Sequence, residues 1–267
     1  MGLEWLLYPL AGIFAGVLAG LLGVGGGLVL VPILVFLLPQ QGVDEASVMP
    51  MALATSLASI FLTGISSAYA HHKRGAVMWI TSGWLAPGLV VGAALGGVWA
   101  VQLKASTLKI AVAVFCLLVA TQMLSGWPKP KVRLDEQPVR GPFYSLAGTI
   151  IGFISSIVGI GGGSLTVPLL VTRGIAPVRA VATSSACGVV IALSSALTYA
   201  NLTPQGLMPA GSLGYVNVPV ALLIAVASIV SAPLGAQWAH RLPAQRLKQI
   251  FAAFLLLVAA ILASHAI

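Results

Sequence analysis

Long apolar runs separated by short polar connections organise the whole chain. Four such runs lie on each side of a polar linker, and the charged side chains fall in the connections. Each run has about 15 to 30 residues, which is long enough to enter or cross a bilayer core of roughly 30 Å. The pattern contains no strands of alternating apolar and polar residues, as an outer-membrane barrel would. It therefore predicts an all-helical, multi-pass integral membrane protein.

Composition sharpens this picture. The chain has 267 residues, of which 59% are hydrophobic and 7% are charged, whereas an ordinary soluble domain carries about 25% charged residues. A water-soluble globular protein is therefore excluded. The net charge of +8 would suggest nucleic acid in a soluble protein, but here lipid headgroups and membrane topology explain the basic connections. We expect membrane lipids, and no nucleic acid, as partners.

An internal repeat relates the two ends of the chain. Residues 12–34 align without gaps on 148–170, with nine identities in 23 positions. A second block aligns 92–120 on 231–259, with 15 identities in 29 positions. Internal repeats of this kind are typical of secondary transporters.

The repeat sets the predicted domain boundaries. We expect a first membrane repeat at 1–127 and a second at 143–267. The segment 128–142 joins them and is rich in Pro and charge, as linkers are.

Each half opens with an apolar segment that glycines interrupt. Residues 6–38 would make a straight helix of about 50 Å, which is too long for one crossing and too short for two. Glycine costs about 1 kcal/mol relative to alanine inside a helix, so we expect breaks at residues 23–27, the first tip, and 159–163, the second tip. The half-helices predicted around these tips are 6–22, 28–38, 143–158 and 164–172.

Lys and Arg counts indicate how these segments lie in the membrane. If all eight segments cross, the two sides hold 6 and 7 basic residues; if both glycine segments re-enter, they hold 11 and 2. The second count obeys the rule that cytoplasmic loops carry the excess. Re-entry of the second segment alone gives the same count, so whether the first re-enters or crosses stays open. Three crossings plus a re-entrant hairpin per half predict inverted repeats, with both termini outside and the linker in the cytoplasm.

Inversion would bring the two tips from opposite faces to meet near mid-membrane. Non-helical backbone is tolerated at that depth only where it is buried in protein or lines a wet cavity. Each tip begins a half-helix, whose free N–H groups and positive dipole end attract anions. An Ala-Thr-Ser triplet at 54–56 and again at 182–184 adds hydroxyls, and Arg179 is the nearest candidate charge. The predicted substrate-binding residues are Gly25, Gly26, Gly27, Thr55, Ser56, Gly161, Gly162, Gly163, Ser164, Arg179, Thr183, Ser184 and Ser185.

Other glycines and the reactive side chains have simpler interpretations. We expect Gly12, Gly16, Gly92 and Gly96 to allow close helix packing. No Asp, Glu, Lys or Arg lies in the middle of an apolar run, so a proton relay or buried cation site has no obvious carrier. The HExxH and GxSxG motifs are also absent, so an enzyme is not expected, nor is a catalytic residue, a metal or an organic cofactor. A channel and a structural or receptor role remain alternatives.

The doubled GxGGG-x4-P element (Gly23 to Pro32 and Gly159 to Pro168), the two Ala-Thr-Ser triplets and the chain length resemble the sulfite exporter TauE/SafE family of permeases. The resemblance implies transport of sulfite, an organosulfonate such as sulfoacetate, or another small sulfur-containing anion. With the residues, it predicts a secondary transporter of a bacterial inner membrane that works by alternating access. The alternative is a carrier or channel for another small organic or inorganic anion, and a homodimer stays open.

Overall fold

The computed structural model describes residues 3–22, 26–126, 137–204, 206–239 and 244–264. Within these ranges helices are joined by short connections, and the described strands form one small β-hairpin, Ser212–Leu213 paired with Val216–Asn217, which the sequence did not predict. Short 3-10 turns precede α1 and follow α2. The helices are α1 (Leu7–Leu22), α2 (Gly27–Leu37), α3 (Glu45–Lys73), α4 (Trp79–Ala100), α5 (Ala105–Ser125), α6 (Pro142–Val158), α7 (Gly163–Thr172), α8 (Pro177–Asn201), α9 (Val218–Ala239) and α10 (Ala244–Ser264).

The predicted helix breaks are confirmed within one residue. In the first half α1 ends at Leu22 and α2 begins at Gly27. In the second half α6 ends at Val158 and α7 begins at Gly163. Gly159 and Gly162 have φ values of +76° and +72°, in the left-handed region that glycine enters without a steric penalty. The glycines therefore end one helix and start the next.

The first broken segment folds back on itself. The Tyr8 hydroxyl, near the start of α1, lies 3.5 Å from the carbonyl oxygen of Leu37 at the end of α2. At the other end of the pair, a Cβ built on Gly26 would lie 3.0 Å from the Cβ of Ala15. Helices α1 and α2 are therefore antiparallel. With 11 residues, α2 is about 16 Å long, which is too short to cross a bilayer core.

The second broken segment also folds back on itself. The Arg173 guanidinium, just after α7, lies over the rings of Phe143 and Tyr144 at the start of α6. A Cβ on Gly162 would lie 3.6 Å from Cγ2 of Ile151. The repeat aligns Tyr144 with Tyr8 and this glycine with Gly26. Both halves thus begin with a helical hairpin.

Helices from the two halves interlock. Helix α1 packs along α9 and α6 packs along α4, while α3 lies against α8 and α5 against α10. The repeat makes α1 equivalent to α6 and α4 equivalent to α9, so exchanging the halves preserves these pairings. The opposite membrane orientation of the halves, and their boundaries at 1–127 and 143–267, stay predictions.

The packing glycines lie where these helices touch. A Cβ on Gly12 would lie 2.6 Å from the carbonyl oxygen of Ile224 on α9, and one on Gly96 would lie 2.5 Å from that of Phe153 on α6. Gly16 and Gly92 approach the partner helices equally closely. The prediction of close packing at these four glycines is confirmed.

Several described helices have the length and composition of membrane spans. Among the described residues, α3, α4, α5 and α8 are long and apolar enough to cross a membrane. Helices α3 and α8 carry buried side chains along much of their length and cross in the centre of the bundle. The all-helical fold class is confirmed, and α3 and α8 are the helices that position the site.

Candidate functional site

The two glycine tips lie against each other in the buried interior. A Cβ on Gly27 would lie 2.5 Å from the carbonyl oxygen of Gly159 and 3.0 Å from the Cα of Ile160. Gly26 and Gly27 are buried, as is the whole second tip. Gly25 lies outside the described residues. The structure therefore brings the tips together, as the inverted arrangement requires.

Helices α3 and α8 enclose the tips from either side. A Cβ on Gly161 would lie 3.0 Å from Cγ2 of Ile60 on α3. A Cβ on Gly188 of α8 would lie 2.7 Å from the carbonyl oxygen of Gly161. On these sides there is little room for a side chain at the tip, so the backbone itself faces the neighbouring helices.

The second tip presents a row of unpaired backbone donors. The N–H of Ile160 donates to Ser155 O, and hydrogen bonding resumes where the N–H of Leu165 donates to Gly162 O. In between, the N–H groups of residues 161–164 donate to no acceptor among the described residues. Successive unpaired N–H groups in a turn, ahead of a helix, form an anion-binding concavity. The backbone of the second tip is therefore suited to an oxyanion.

The first tip also starts a helix without a side-chain cap. The N–H groups of Val29 and Leu30 donate to Gly26 O, which closes the first turn of α2. Among the described residues, no side chain accepts a hydrogen bond from the N–H groups of Gly27 and Leu28. Both predicted helix N-termini are therefore present.

The two predicted serines of the Ala-Thr-Ser triplets differ in their partners. Ser56 is fully buried, and its hydroxyl donates to the carbonyl oxygen of Gly159 over 3.1 Å. This bond ties α3 directly to the second tip. Ser184, at the corresponding position of α8, is buried too, but its hydroxyl has no hydrogen-bond partner.

The two predicted threonines each hold the start of another helix. Oγ1 of Thr55 accepts a hydrogen bond from the N–H of Asn217, just before α9, at 3.1 Å. Oγ1 of Thr183 accepts one from the N–H of Met78, just before α4, at 3.0 Å. These bonds satisfy backbone donors that helix starts leave unpaired. Each hydroxyl proton stays free to be donated, so a contact with the substrate remains a prediction.

Ser185 and Arg179 are not brought to the tips. The Ser185 hydroxyl donates to Val181 O in its own helix and lies 3.3 Å from the hydroxyl of Ser67 on α3. Arg179 lies in the first turn of α8, nine residues before Gly188, which is about 13 Å along the helix axis. A role for either in binding stays a prediction that this arrangement does not support.

Three buried hydroxyls near the second tip lack partners, and the sequence singled out only one of them. Ser155 and Thr166 are 0% exposed and Ser164 is 8% exposed, and none of their hydroxyls makes a hydrogen bond to another described residue. Ser155 Oγ lies 3.4 Å from where a Cβ on Gly162 would be. An unpaired buried hydroxyl costs about 1–3 kcal/mol. A water or a polar ligand next to these side chains could accept or donate the missing hydrogen bonds.

An open cavity of about 470 Å³ lies between α5 and α7, next to Ser164 and Leu165, which directly follow the second tip. Ser164 forms part of its wall, so the first turn of α7 borders both the tip and the cavity. Its lining contains serine, threonine and glutamine side chains and, among the described residues, no acidic one. Its lining residues are Leu118, Thr121, Gln122, Ser125, Ser164, Leu165 and Pro168.

Comparison with known proteins identifies the family. The profile of the sulfite exporter TauE/SafE family matches residues 8–262. A "Probable membrane transporter protein" of Haemophilus influenzae is 40% identical over 259 residues, 95% of this chain and 96% of the relative. Another of Methanocaldococcus jannaschii is 29% identical, covering 94% of this chain and 93% of the relative. These names indicate a membrane transporter rather than an enzyme. No solved structure matches the chain.

Proposed function

The chain belongs to the sulfite exporter TauE/SafE family, and on this basis we propose that it is a secondary transporter of a small sulfur-containing anion. The anion is sulfite or an organosulfonate such as sulfoacetate, and it moves by alternating access. The observation that carries the proposal is the contact of Gly27 with Gly159 and Ile160 in the buried interior, followed directly along the chain by the unpaired N–H groups of residues 161–164.

Hydrogen bonds from the tip can hold such an anion without a cationic side chain. A sulfite or sulfonate group offers three oxygens, and an N–H donor reaches an oxygen at about 2.7–3.2 Å. Each hydrogen bond to a charged group contributes about 1.5–3 kcal/mol. Two or three such bonds, with the positive end of the α7 dipole, suffice for micromolar to millimolar binding. Binding of this strength also lets the anion leave, as transport requires.

The alternating mechanism rests on the duplicated architecture. Each half contributes a hairpin whose tip touches the other tip, and exchanging the halves preserves the main helix pairs. Inverted halves can rock against each other around a fixed site, opening it first to one side and then to the other. In this proposal both hairpins re-enter the membrane, the termini lie outside and the linker is cytoplasmic, in a bacterial inner membrane.

Lipids are the expected surroundings of the outer helix faces. Val230 of α9 is 72% exposed and Val114 of α5 is 50% exposed. Large apolar side chains at such exposure fit the hydrocarbon of a bilayer.

Counterflow in proteoliposomes tests the proposal. Purified protein in vesicles preloaded with unlabelled sulfite or sulfoacetate should accumulate the labelled anion, and uptake should saturate. Thiosulfate, taurine and acetate as competitors define the substrate class. Flux that rises linearly with concentration, without counterflow, would point to a channel. Saturable counterflow of acetate but of no sulfur anion would favour the alternative carrier.

A further inference from the structure

The second tip differs from the first in the side chains around it. The three unpartnered hydroxyls at the second tip have aliphatic or alanine counterparts at the first tip. The alignment pairs Ser155 with Ala19, Ser164 with Leu28 and Thr166 with Leu30. Leu28 and Leu30 are each 2% exposed, so they fill the space around the first tip with hydrocarbon.

The residues that line the cavity differ from their aligned counterparts in the same sense. Extending the alignment into the last turns of α5 and α10 pairs polar cavity residues with mostly apolar ones. The pairs are Thr121 with Ala260, Gln122 with Ile261, and Ser125 with Ser264. The polar lining is therefore found beside the second tip, where the cavity lies.

We propose that each chain holds a single oxyanion site, at the second tip, and that Gln122 of α5 forms its outer wall. The proposal rests on the proposed function for the nature of the ligand, a small sulfur oxyanion. The donors are the N–H groups of residues 161–164, the hydroxyl of Ser164 and the side-chain amide of Gln122. Of the first tip, Gly27 packs against the second tip, and the described residues Gly26 and Gly27 do not bind the anion.

Gln122 is the side chain of the outer wall best placed to donate. The hydroxyl of Thr121 already donates to Leu118 O over 2.8 Å, and that of Ser125 donates to Gln122 O over 3.0 Å. The Gln122 amide makes no hydrogen bond to the described residues, and its NH₂ group carries two donors. It is half-buried, so a ligand in the cavity can reach it. With an anion bound, the cavity still has room for several waters, since each water occupies about 30 Å³.

Affinity and stoichiometry of sulfite and sulfoacetate binding test the single site. The protein is kept in a detergent free of anionic lipid, so that a lipid phosphate cannot occupy the cavity. Isothermal titration should give one anion per chain. Ser164→Ala and Gln122→Leu should each weaken binding about tenfold, as expected for one hydrogen bond to a charged group.

Two matched variants control for packing and for hydroxyl loss. Ile261→Leu places leucine at the position of α10 that corresponds to Gln122→Leu, and it removes no donor. Ser194→Ala deletes a hydroxyl that donates to Val90 O, away from the tips. Both should bind the anion as the wild type does.

A labelling measurement tests the proposal even where Ser164→Ala or Gln122→Leu does not fold. In Gln122→Cys, the anion should slow alkylation of the introduced thiol, since Cys116 and Cys187 are buried. Two anions per chain, or wild-type affinity in both Ser164→Ala and Gln122→Leu, would overturn the single site. Tight binding of phosphatidylglycerol with no effect of sulfur anions on Gln122→Cys would assign the cavity to a lipid headgroup. Absence of counterflow in the wild type would instead refute the proposed function.

Discussion

Gly27→Ala tests whether the contact between the tips matters for binding. The added Cβ would lie 2.5 Å from the carbonyl oxygen of Gly159 and 3.0 Å from the Cα of Ile160. Nonbonded atoms settle at about 3.5–4.0 Å, so the tips must separate by about 1 Å. Gly27 lies at the start of a right-handed helix, so the alanine itself is not strained. The steric cost is about 1–3 kcal/mol, the usual range for overpacking.

Separation of the tips should weaken anion binding by more than the loss of folding stability alone would explain. The second tip would shift relative to the hydroxyls that face it, and hydrogen bonds weaken steeply once their geometry is lost. We expect at least a tenfold loss of affinity, and a matching loss of counterflow, with the protein still inserted in membranes. Isothermal titration and thermal unfolding of the same preparation separate the two effects.

Gly12→Ala is the matched control. Its Cβ would lie 2.6 Å from Ile224 O at the contact of α1 with α9, so the clash is of similar size but lies away from the tips. It should lower the unfolding temperature by a similar amount and leave the affinity unchanged. Equal losses of affinity in the two variants would show that the tip contact has no special role, and normal affinity in Gly27→Ala would refute the reasoning outright.

Two further predictions concern the threonines and the topology. Thr55→Val and Thr183→Val should each leave a buried backbone N–H unpaired, at about 1–3 kcal/mol of stability, which chemical denaturation measures; unchanged stability in both would contradict the role assigned to these hydroxyls. In a background without the native cysteines, single cysteines placed in 39–46 should react with an impermeant reagent outside intact cells, and those in 174–178 should react only after lysis. Reversed labelling of 39–46 would remove re-entry of the first hairpin.

The breaks in the helices were predictable because their cause is local. Runs of glycine are poor helix interiors in any surroundings, so the ends of α1 and α6 follow from the sequence alone. The approach of the tips was predictable because the same break occurs twice, at aligned positions. The family was predictable from the same doubled motif, and the profile match confirms it.

Side-chain partners were not predictable to the same degree. Spacing placed the hydroxyl of Ser185 near that of Ser184, but adjacent residues of a helix point in directions about 100° apart. Of these two serines, Ser184 is buried and its hydroxyl has no hydrogen-bond partner among the described residues. The hydroxyl of Ser185 instead faces Ser67 on α3. Ser155 and Thr166 were missed because a search for shared residues passes over positions where the halves differ. Comparing the halves for their differences would have found them.

The recurrence of threonine in both triplets now has a structural explanation. Thr55 and Thr183 both accept a hydrogen bond from a backbone N–H at a helix start, and every residue except proline supplies that group. The contact therefore survives although the donors are Asn217 in one half and Met78 in the other. The side chain of Asn217 extends the contact, since it donates to Gln41, which in turn donates to Tyr8. The side chain of Met78 carries no amide group, so it cannot build such a chain of hydrogen bonds in the other half. A residue shared by the repeats thus marks a backbone contact common to both halves.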